Sequence, residues 1–379
     1  MMMKILLACD KFKGSLSAQE VNAAVKQGFS KVFPTVEYQS CVVADGGEGF
    51  VHALVDAAGG ELRTSVVEDA LGREVEAEWG VIPQGNGKLA AVIEMSAASG
   101  LWRIVEEERD IMEASTFGTG QLIKIASEIP EVEHLYLGLG GSATNDGGTG
   151  MAQALGTQFF AGNRLITERM SPSQLASVTR LDLSAVVELP PITVACDVDS
   201  PLCGPLGASA VFGPQKGATT ELIAILDQQL QSLSELMNRA EIAVFPGSGA
   251  AGGMGYGLIA FAQARLVSGF DLVADAIALE EQIQSADLII TGEGKMDEQS
   301  LAGKGPIGVA KLALEKGKPC LAIAGGMEES VDWASYFCAH AALSETGQSL
   351  SDLIANAEKY LVDTANLLAE NVSKMQVFR

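Results

Sequence analysis

Three short stretches of this chain are apolar at nearly every position: "ILLAC" (5–9), "LIIT" (288–291) and "CLAIA" (320–324). A strand with one wet face alternates apolar and polar residues. A short run that does not alternate fits a strand buried on both faces, which requires helices above and below a parallel sheet. The flanking sequence supplies them. After the first run, "SAQEVNAAVKQGF" has Ser17 at the N-cap and Glu20 three residues on, the pattern of a capping box. Val21, Ala24, Val25 and Phe29 then line one helical face. A strand is predicted at "SCVVAD" (Ser40–Asp45), and a helix at "FVHALVDAAGG" with a glycine stop. Near the other end, "DLIITGEG", "GPIGVAKLALEKG" (Pro306 at N1) and "PCLAIAGG" read as strand, helix and strand. "YFCAHAALSE" reads as a further strand, followed by helix after Ser349.

The middle of the chain is different. "ELRTSVVEDALGREVEAEWGVIPQGNGKLAAVIEMS" alternates apolar and polar residues around turns at Leu71–Gly72 and Gly85–Gly87, predicting an antiparallel meander of about three strands. Beyond it, helices are predicted at about 118–128, 146–156 and 219–241, with strands at "HLYLGLGG" and "ITVACDVDS". Residues 162–190 read as polar and irregular. The expected fold is α/β. Residues 1–65 and 284–379 form a discontinuous Rossmann-like, doubly wound parallel domain. Residues 66–283 form a second, inserted α/β domain with a mixed or antiparallel sheet.

Charge limits the partners. With 48 acidic against 25 basic residues the formal net charge is −23, which repels nucleic acid and anionic membranes. An anionic substrate would have to be attracted locally, by lysines, backbone N–H groups or metal ions. The six cysteines form no CxxC pair and there are three histidines, so a zinc site is not expected. Cysteines within apolar runs read as reduced core thiols of a cytoplasmic protein. The N-terminal apolar run is too short for a signal peptide, and none reaches the roughly 20 residues of a membrane span.

Five predicted strands end in loops that mix glycine with acids: "CDKFKGS", "ADGGEG", "GLGGSATNDGG", "CDVDSPLCGP" and "TGEGKMDEQSLAGKG". Strand ends of a doubly wound sheet are where ligands bind. The residue types suit phosphoryl transfer, which needs carboxylates for Mg²⁺, N–H donors around phosphate oxygens, a cation or two, and a base. Asp45, Asp197, Asp199, Glu293 and Asp297 are candidate metal ligands or base, and Lys13, Lys295 and Lys304 supply positive charge. Taken singly, loop aspartates more often close turns and loop lysines are more often solvated. His52, in an apolar helix, reads as packed. There is no Walker A motif, because no Gly-Lys pair is followed by Ser or Thr. A G-x-G-x-x-G does occur at Gly247, Gly249 and Gly252. It follows a poor strand, so a tightly packed loop is favoured over dinucleotide binding. An NAD-dependent oxidoreductase of a small hydroxy acid and a non-catalytic anion-binding regulator are the alternatives.

Taken together, the motifs "DKFKGSLSA", "VADGGEGF", "GLGGSATNDGGTGMAQALG", "ACDVDSPLCGPLGASAVFGPQKGA", "GSGAAGGMG" and "DLIITGEGKMDEQSLAGKGPIGVA" resemble the bacterial type I glycerate kinases over essentially the whole chain. The resemblance implies ATP- and Mg²⁺-dependent phosphorylation of D-glycerate at its 2-hydroxyl, in a cleft between two domains. It carries over Asp10, Lys13, Asp45, Glu48, Ser142, Asn145, Asp146, Asp197, Asp199, Lys216, Glu293, Asp297 and Lys304, with Lys295 at a position often held by arginine. Lys11 stands where relatives often have serine, so Lys13 is the expected carboxylate clamp. Asp45 is the expected base, and Lys295 and Lys304 are expected to stabilise the moving phosphoryl group. Asp10, Glu48, Lys216 and the loop residues Gly140, Gly141, Ser142, Asn145 and Asp146 are expected to bind substrate or phosphate. Asp197, Asp199, Glu293 and Asp297 are expected to hold the metal.

Overall fold

The structure is a computed structural model and describes residues 3–43, 49–85, 87–298, 300–302 and 305–375. Among these, no helix is long and apolar enough to cross a membrane. In chain order the strands are β1 (Lys4–Cys9), β2 (Glu37–Ser40), β3 (Glu61–Glu68), β4 (Glu74–Gly85), β5 (Lys88–Glu94), β6 (Val132–Gly138), β7 (Gln158–Ala161) and β8 (Arg164–Leu165). There follow β9 (Arg180–Asp182), β10 (Ile192–Ala195), β11 (Arg265–Val267), β12 (Leu288–Gly292), β13 (Lys295–Met296), β14 (Cys320–Ala324), β15 (Gly326–Met327) and β16 (Ala339–Ala342). The chain divides into two units, residues 1–45 with 270–379, and residues 46–269.

The first unit carries a five-stranded sheet in the order β16-β14-β12-β1-β2, with every pair parallel. The non-alternating runs are its three central strands, and β1, β12 and β14 bury nearly every side chain. The helices Ala18–Ser30 and Ala357–Ser373 pack on one another, and the core draws Val21, Val25 and Phe29 from the first and Leu361, Ala365 and Leu368 from the second. The capping box is present: the Ser17 hydroxyl accepts from Glu20 N at 3.3 Å, and the Glu20 carboxylate accepts from Ser17 N at 2.8 Å. We expect Ser17→Ala to cost about 1 kcal/mol in urea denaturation, the usual value of such a cap. An unchanged midpoint would show that tertiary packing alone fixes this helix start.

The second strand does not lie where the apolar pattern put it. It is Glu37–Ser40; Cys41 N still donates to the Leu7 carbonyl at 2.9 Å, and the chain then leaves the strand. An edge strand needs only one packed face, so the half-exposed "EYQS" fits the position.

The second unit is built on a six-stranded mixed sheet, β11-β10-β6-β5-β4-β3. The β3–β4 and β4–β5 pairs are antiparallel, which is the three-strand meander, and the other pairs are parallel. The helix Phe50–Ala58 packs on β4 and β5, and β3 pairs along its whole length with β4. Residues 49–65 therefore group with this sheet, and the two units divide at 45/46, where the sequence pattern puts the boundary at 65/66. At the other end it falls at 269/270, not 283/284, and the Phe270 ring packs onto Gly308 of the first unit. The stretch read as irregular holds much of a small antiparallel sheet, β8-β7-β9, whose strands are two to four residues long.

Candidate active site

In the first sheet the fifth-to-second strand order is that of a flavodoxin-like fold, in which β1 and the third strand in sequence mark where the winding reverses. Here those strands are β1 and β12. Ligands bind outside the carboxyl ends of such a pair, and these two ends carry "DKFKGS" and "GEGKMD". Asp10 N donates to the Gly292 carbonyl at 2.8 Å, and the Asp10 carboxylate accepts from Lys11 N at 2.7 Å. The chain then turns tightly, with Phe12 bridged to Leu16 and Lys13 exposed at the tip. Gly294 lies against this turn: a Cβ there would come within 3.1 Å of Lys13 N.

The β12 loop has its own connections. Ser300 Oγ donates to Glu293 Oε1 at 2.7 Å and accepts from Asp297 N at 3.2 Å, tying the two acids of this loop through one hydroxyl. Lys295 pairs with Asp297 at 2.9 Å, and that carboxylate raises the ammonium's pKa. Asp10, Lys13, Glu293, Lys295 and Asp297 thus gather at one sheet edge. Ser300 was not singled out by the sequence, although a serine three residues after an aspartate in a glycine-rich loop is a local turn signal. Beside this loop lies an open depression of about 510 Å³ whose lining includes Glu298, Leu301, Ser330, Asp332 and Tyr336. Its described lining holds two carboxylates and no cation, so it does not suit an anion.

In the second unit, β5, β6, β10 and β11 run parallel, so their following loops share an edge. The loop after β6 is the glycine cluster. Gly141 is exposed and Gly140 partly so, whereas Ser142 through Asp146 are buried. Asp146 accepts from Thr116 N (2.9 Å), Thr116 Oγ1 (2.8 Å), Gly148 N (3.1 Å) and Gly150 N (3.1 Å). Burial raises its pKa, and these hydrogen bonds oppose the shift. A carboxylate holding four internal donors braces the loop from beneath. Asn145 Nδ2 donates to Ser209 Oγ at 2.9 Å. Lys216, 2% exposed, donates to Ser142 Oγ at 2.9 Å and to the Thr144 carbonyl at 2.7 Å. Thr116 and Ser209, the partners here, had no signal in the sequence because each comes from a distant segment.

The second glycine-rich loop explains the first. Gly252 has φ +70°, and a Cβ on it would lie 1.9 Å from the Thr144 carbonyl oxygen. Gly147 N donates to the Gly252 carbonyl at 3.0 Å. The two loops interlock backbone to backbone, which only residues without side chains allow. The G-x-G-x-x-G at 247–252 follows the short helix Ala240–Ala243, not a strand, and is filled by its own protein neighbours. It therefore lacks the strand–turn–helix setting of a dinucleotide site.

Of the proposed metal ligands, Asp197 accepts from Ser268 Oγ (3.2 Å) and Gly269 N (2.9 Å), while Asp199 is exposed. Asp45, Glu48 and Lys304 lie outside the described residues. His52 is not packed: it is half-exposed and pairs with Glu78 at 2.7 Å.

Comparison with known proteins finds close sequence and fold relatives. The profile of the glycerate kinase family matches residues 5–373. The chain is 42% identical to "Glycerate kinase" of Haemophilus influenzae, with both chains covered in full. It is 45% identical to "Glycerate 2-kinase" of Escherichia coli over 87% of each chain. A crystal structure of a Salmonella typhimurium LT2 protein provisionally named glycerate kinase 2 superposes with a TM-score of 0.82 at 40% identity, covering 98% of this chain and 99% of that one. With parallel strand ends that carry acids, lysines and glycine loops, and with relatives matched along their whole length, this chain belongs to the glycerate kinase family.

Proposed function

We propose that the protein transfers the γ-phosphoryl group of ATP to the 2-hydroxyl of D-glycerate, giving 2-phosphoglycerate and ADP. One observation carries the chemistry: two adjacent strand ends at a winding reversal present Asp10, Lys13, Glu293, Lys295 and Asp297 together, within a protein of net charge −23. In so acidic a molecule, lysines and glycine N–H groups at a strand edge are the local attraction that a carboxylate or phosphate requires. The printed name of the Escherichia coli relative supports the 2-position.

In this reading Lys13 meets the glycerate carboxylate. Gly140, Gly141, Ser142 and Asn145 receive anionic oxygens, with Asp146 bracing their loop. Asp45 takes the hydroxyl proton as the oxygen attacks, and Lys295 and Lys304 neutralise charge on the moving group. Asp10 orients the turn that carries Lys13. Glu48 is a further candidate to bind substrate or phosphate. The donor set also fits Mg²⁺. That ion is usually held by one or two carboxylates plus substrate phosphates rather than by a protein cage. Among the described residues no three His, Cys, Asp or Glu side chains form such a cage, whereas Glu293 and Asp297 stand on one loop with a cation already at Asp297. Asp197 and Asp199 are the second unit's candidates. When bound, Mg²⁺ supplies charge neutralisation on the phosphate oxygens.

A coupled ADP-release assay tests the reading. ADP should form only when D-glycerate, ATP and Mg²⁺ are all present, and phosphorus NMR of the product should place the phosphate on C2. Binding without ADP release would favour the anion-binding regulator, and phosphate on C3 would overturn the assigned position. Lys13→Ala should raise KM for glycerate roughly 10- to 100-fold, the value of one charge-assisted hydrogen bond, with little change in kcat. An unchanged KM would remove Lys13 from the clamp.

A further inference from the structure

The least expected group in the second unit is a fully buried lysine. Lys216 ends the turn Pro214–Lys216, and its side chain runs inward under the glycine loop. An ammonium has three donors. Two are taken, by Ser142 Oγ and the Thr144 carbonyl. Among the described residues no carboxylate lies within 4 Å of it. Asp146, the acid that faces it electrostatically, already holds four other donors. The other charged side chain on a neighbouring segment is Arg109, whose Cβ lies 3.5 Å from the Cβ position of Gly217 and whose Nη1 reaches the Gln215 carbonyl at 3.4 Å.

Two more groups in the same place lack partners. Asn145 Oδ1 and Thr144 Oγ1 are buried with no hydrogen bond. Most buried polar atoms in proteins are paired, so an under-paired buried cluster next to an exposed glycine turn calls for an explanation. The Thr144 and Asn145 oxygens leave the cluster under-paired, and the chain leaves it through Gly140 and Gly141 at the surface.

We propose that Lys216 is a positioning residue that acts through the Ser142 hydroxyl and the Thr144 carbonyl to set the glycine loop for an anionic ligand oxygen, the ligand's charge being matched by the ammonium beneath. Lys216 does not touch the ligand in this account. The inference rests on the loop receiving an anion, as in the proposed function. Burial lowers the Lys216 pKa to about 7, with Asp146 opposing the shift. In the ligand-free protein at pH 8 the amine is therefore mostly neutral. An arriving anion favours the charged form, so binding and proton uptake are linked.

The experiment is calorimetric titration of the whole protein at pH 8 in buffers of different ionisation enthalpy. The probes are D-glycerate and, separately, a non-hydrolysable ATP analogue with Mg²⁺; both are fully ionised at this pH. The probe that seats at the loop should bind with uptake approaching one proton per site. Lys216→Met, of similar volume and uncharged, should abolish that uptake and weaken the same probe at least tenfold. Met keeps the volume but removes the donor to the Thr144 carbonyl, so circular dichroism first checks that the variant folds. The wild-type measurement stands even if it does not. Thermal midpoints give a second readout. Between pH 7 and 10 the unfolded chain holds a proton that folded Lys216 lacks, so stability from this group rises with pH in the wild type and not in Lys216→Met. Binding of both probes without proton uptake would overturn the positioning role and leave the kinase reading intact. Failure of both probes to bind would overturn the kinase reading, and this inference with it.

Discussion

Asp146→Ala is expected to destabilise the second unit by roughly 3–6 kcal/mol, because it strands several buried donors at once. Thr116 N, Gly148 N and Gly150 N would each lose an acceptor, and the Thr116 hydroxyl would have to turn elsewhere. Asp146→Asn should be much milder. An amide oxygen in the place of Oδ2 keeps the two Thr116 bonds and the Gly150 bond, and only the Gly148 N–H faces a donor. Urea denaturation of both variants checks the order. Equal losses would mean that the charge, not the acceptor geometry, braces the loop. A loss below about 0.5 kcal/mol for alanine, within the range of ordinary surface substitutions, would dismiss the brace altogether.

Asp45→Asn is expected to lower kcat by roughly 100-fold or more, the scale of lost acid–base catalysis, while the thermal midpoint holds. A carboxylate base is favoured because there are only three histidines and two of them are engaged. His134 Nε2 is within 2.9 Å of Thr193 Oγ1, and burial together with Arg265 lowers its pKa. His52 pairs with Glu78. If Asp45 is the base, the acid limb of the wild-type kcat/KM profile should vanish in the variant. Near-wild-type turnover would remove Asp45 from the role.

Much of this was readable in the chain because the deciding signals are local. Runs of residues without alternation located β1, β12 and β14. Ser17 and Glu20 fixed a helix start from four residues, and the alternating stretch from Glu61 gave three antiparallel strands. The failures have a common cause. β2 was sought in Ser40–Asp45, because a pattern cannot tell an edge strand from a central one. The small sheet β7–β9 is too short to show a period. Residue type gives charge but not surroundings. Lys216 and Asp146 were named as substrate- or phosphate-binding through the family resemblance, and only the fold shows that both are buried. The glycines at 247–252 were read as a packed loop, and the Thr144 and Asn145 backbone against which Gly252 packs is some hundred residues away.

The place of β1 between β2 and β12 bears on how the chain matures during synthesis. The Ala8 carbonyl receives the Thr291 hydroxyl across 283 residues. At the usual 5–20 residues per second, the ribosome needs roughly 15 to 60 s to make that partner. All the while the first strand, apolar on both faces, has one neighbour and an open edge. The intervening 46–269 stretch is continuous and can close its own sheet during the delay. Nascent chains halted before residue 288 should therefore recruit holdase chaperones at their amino-terminal end, and release them once β12 emerges.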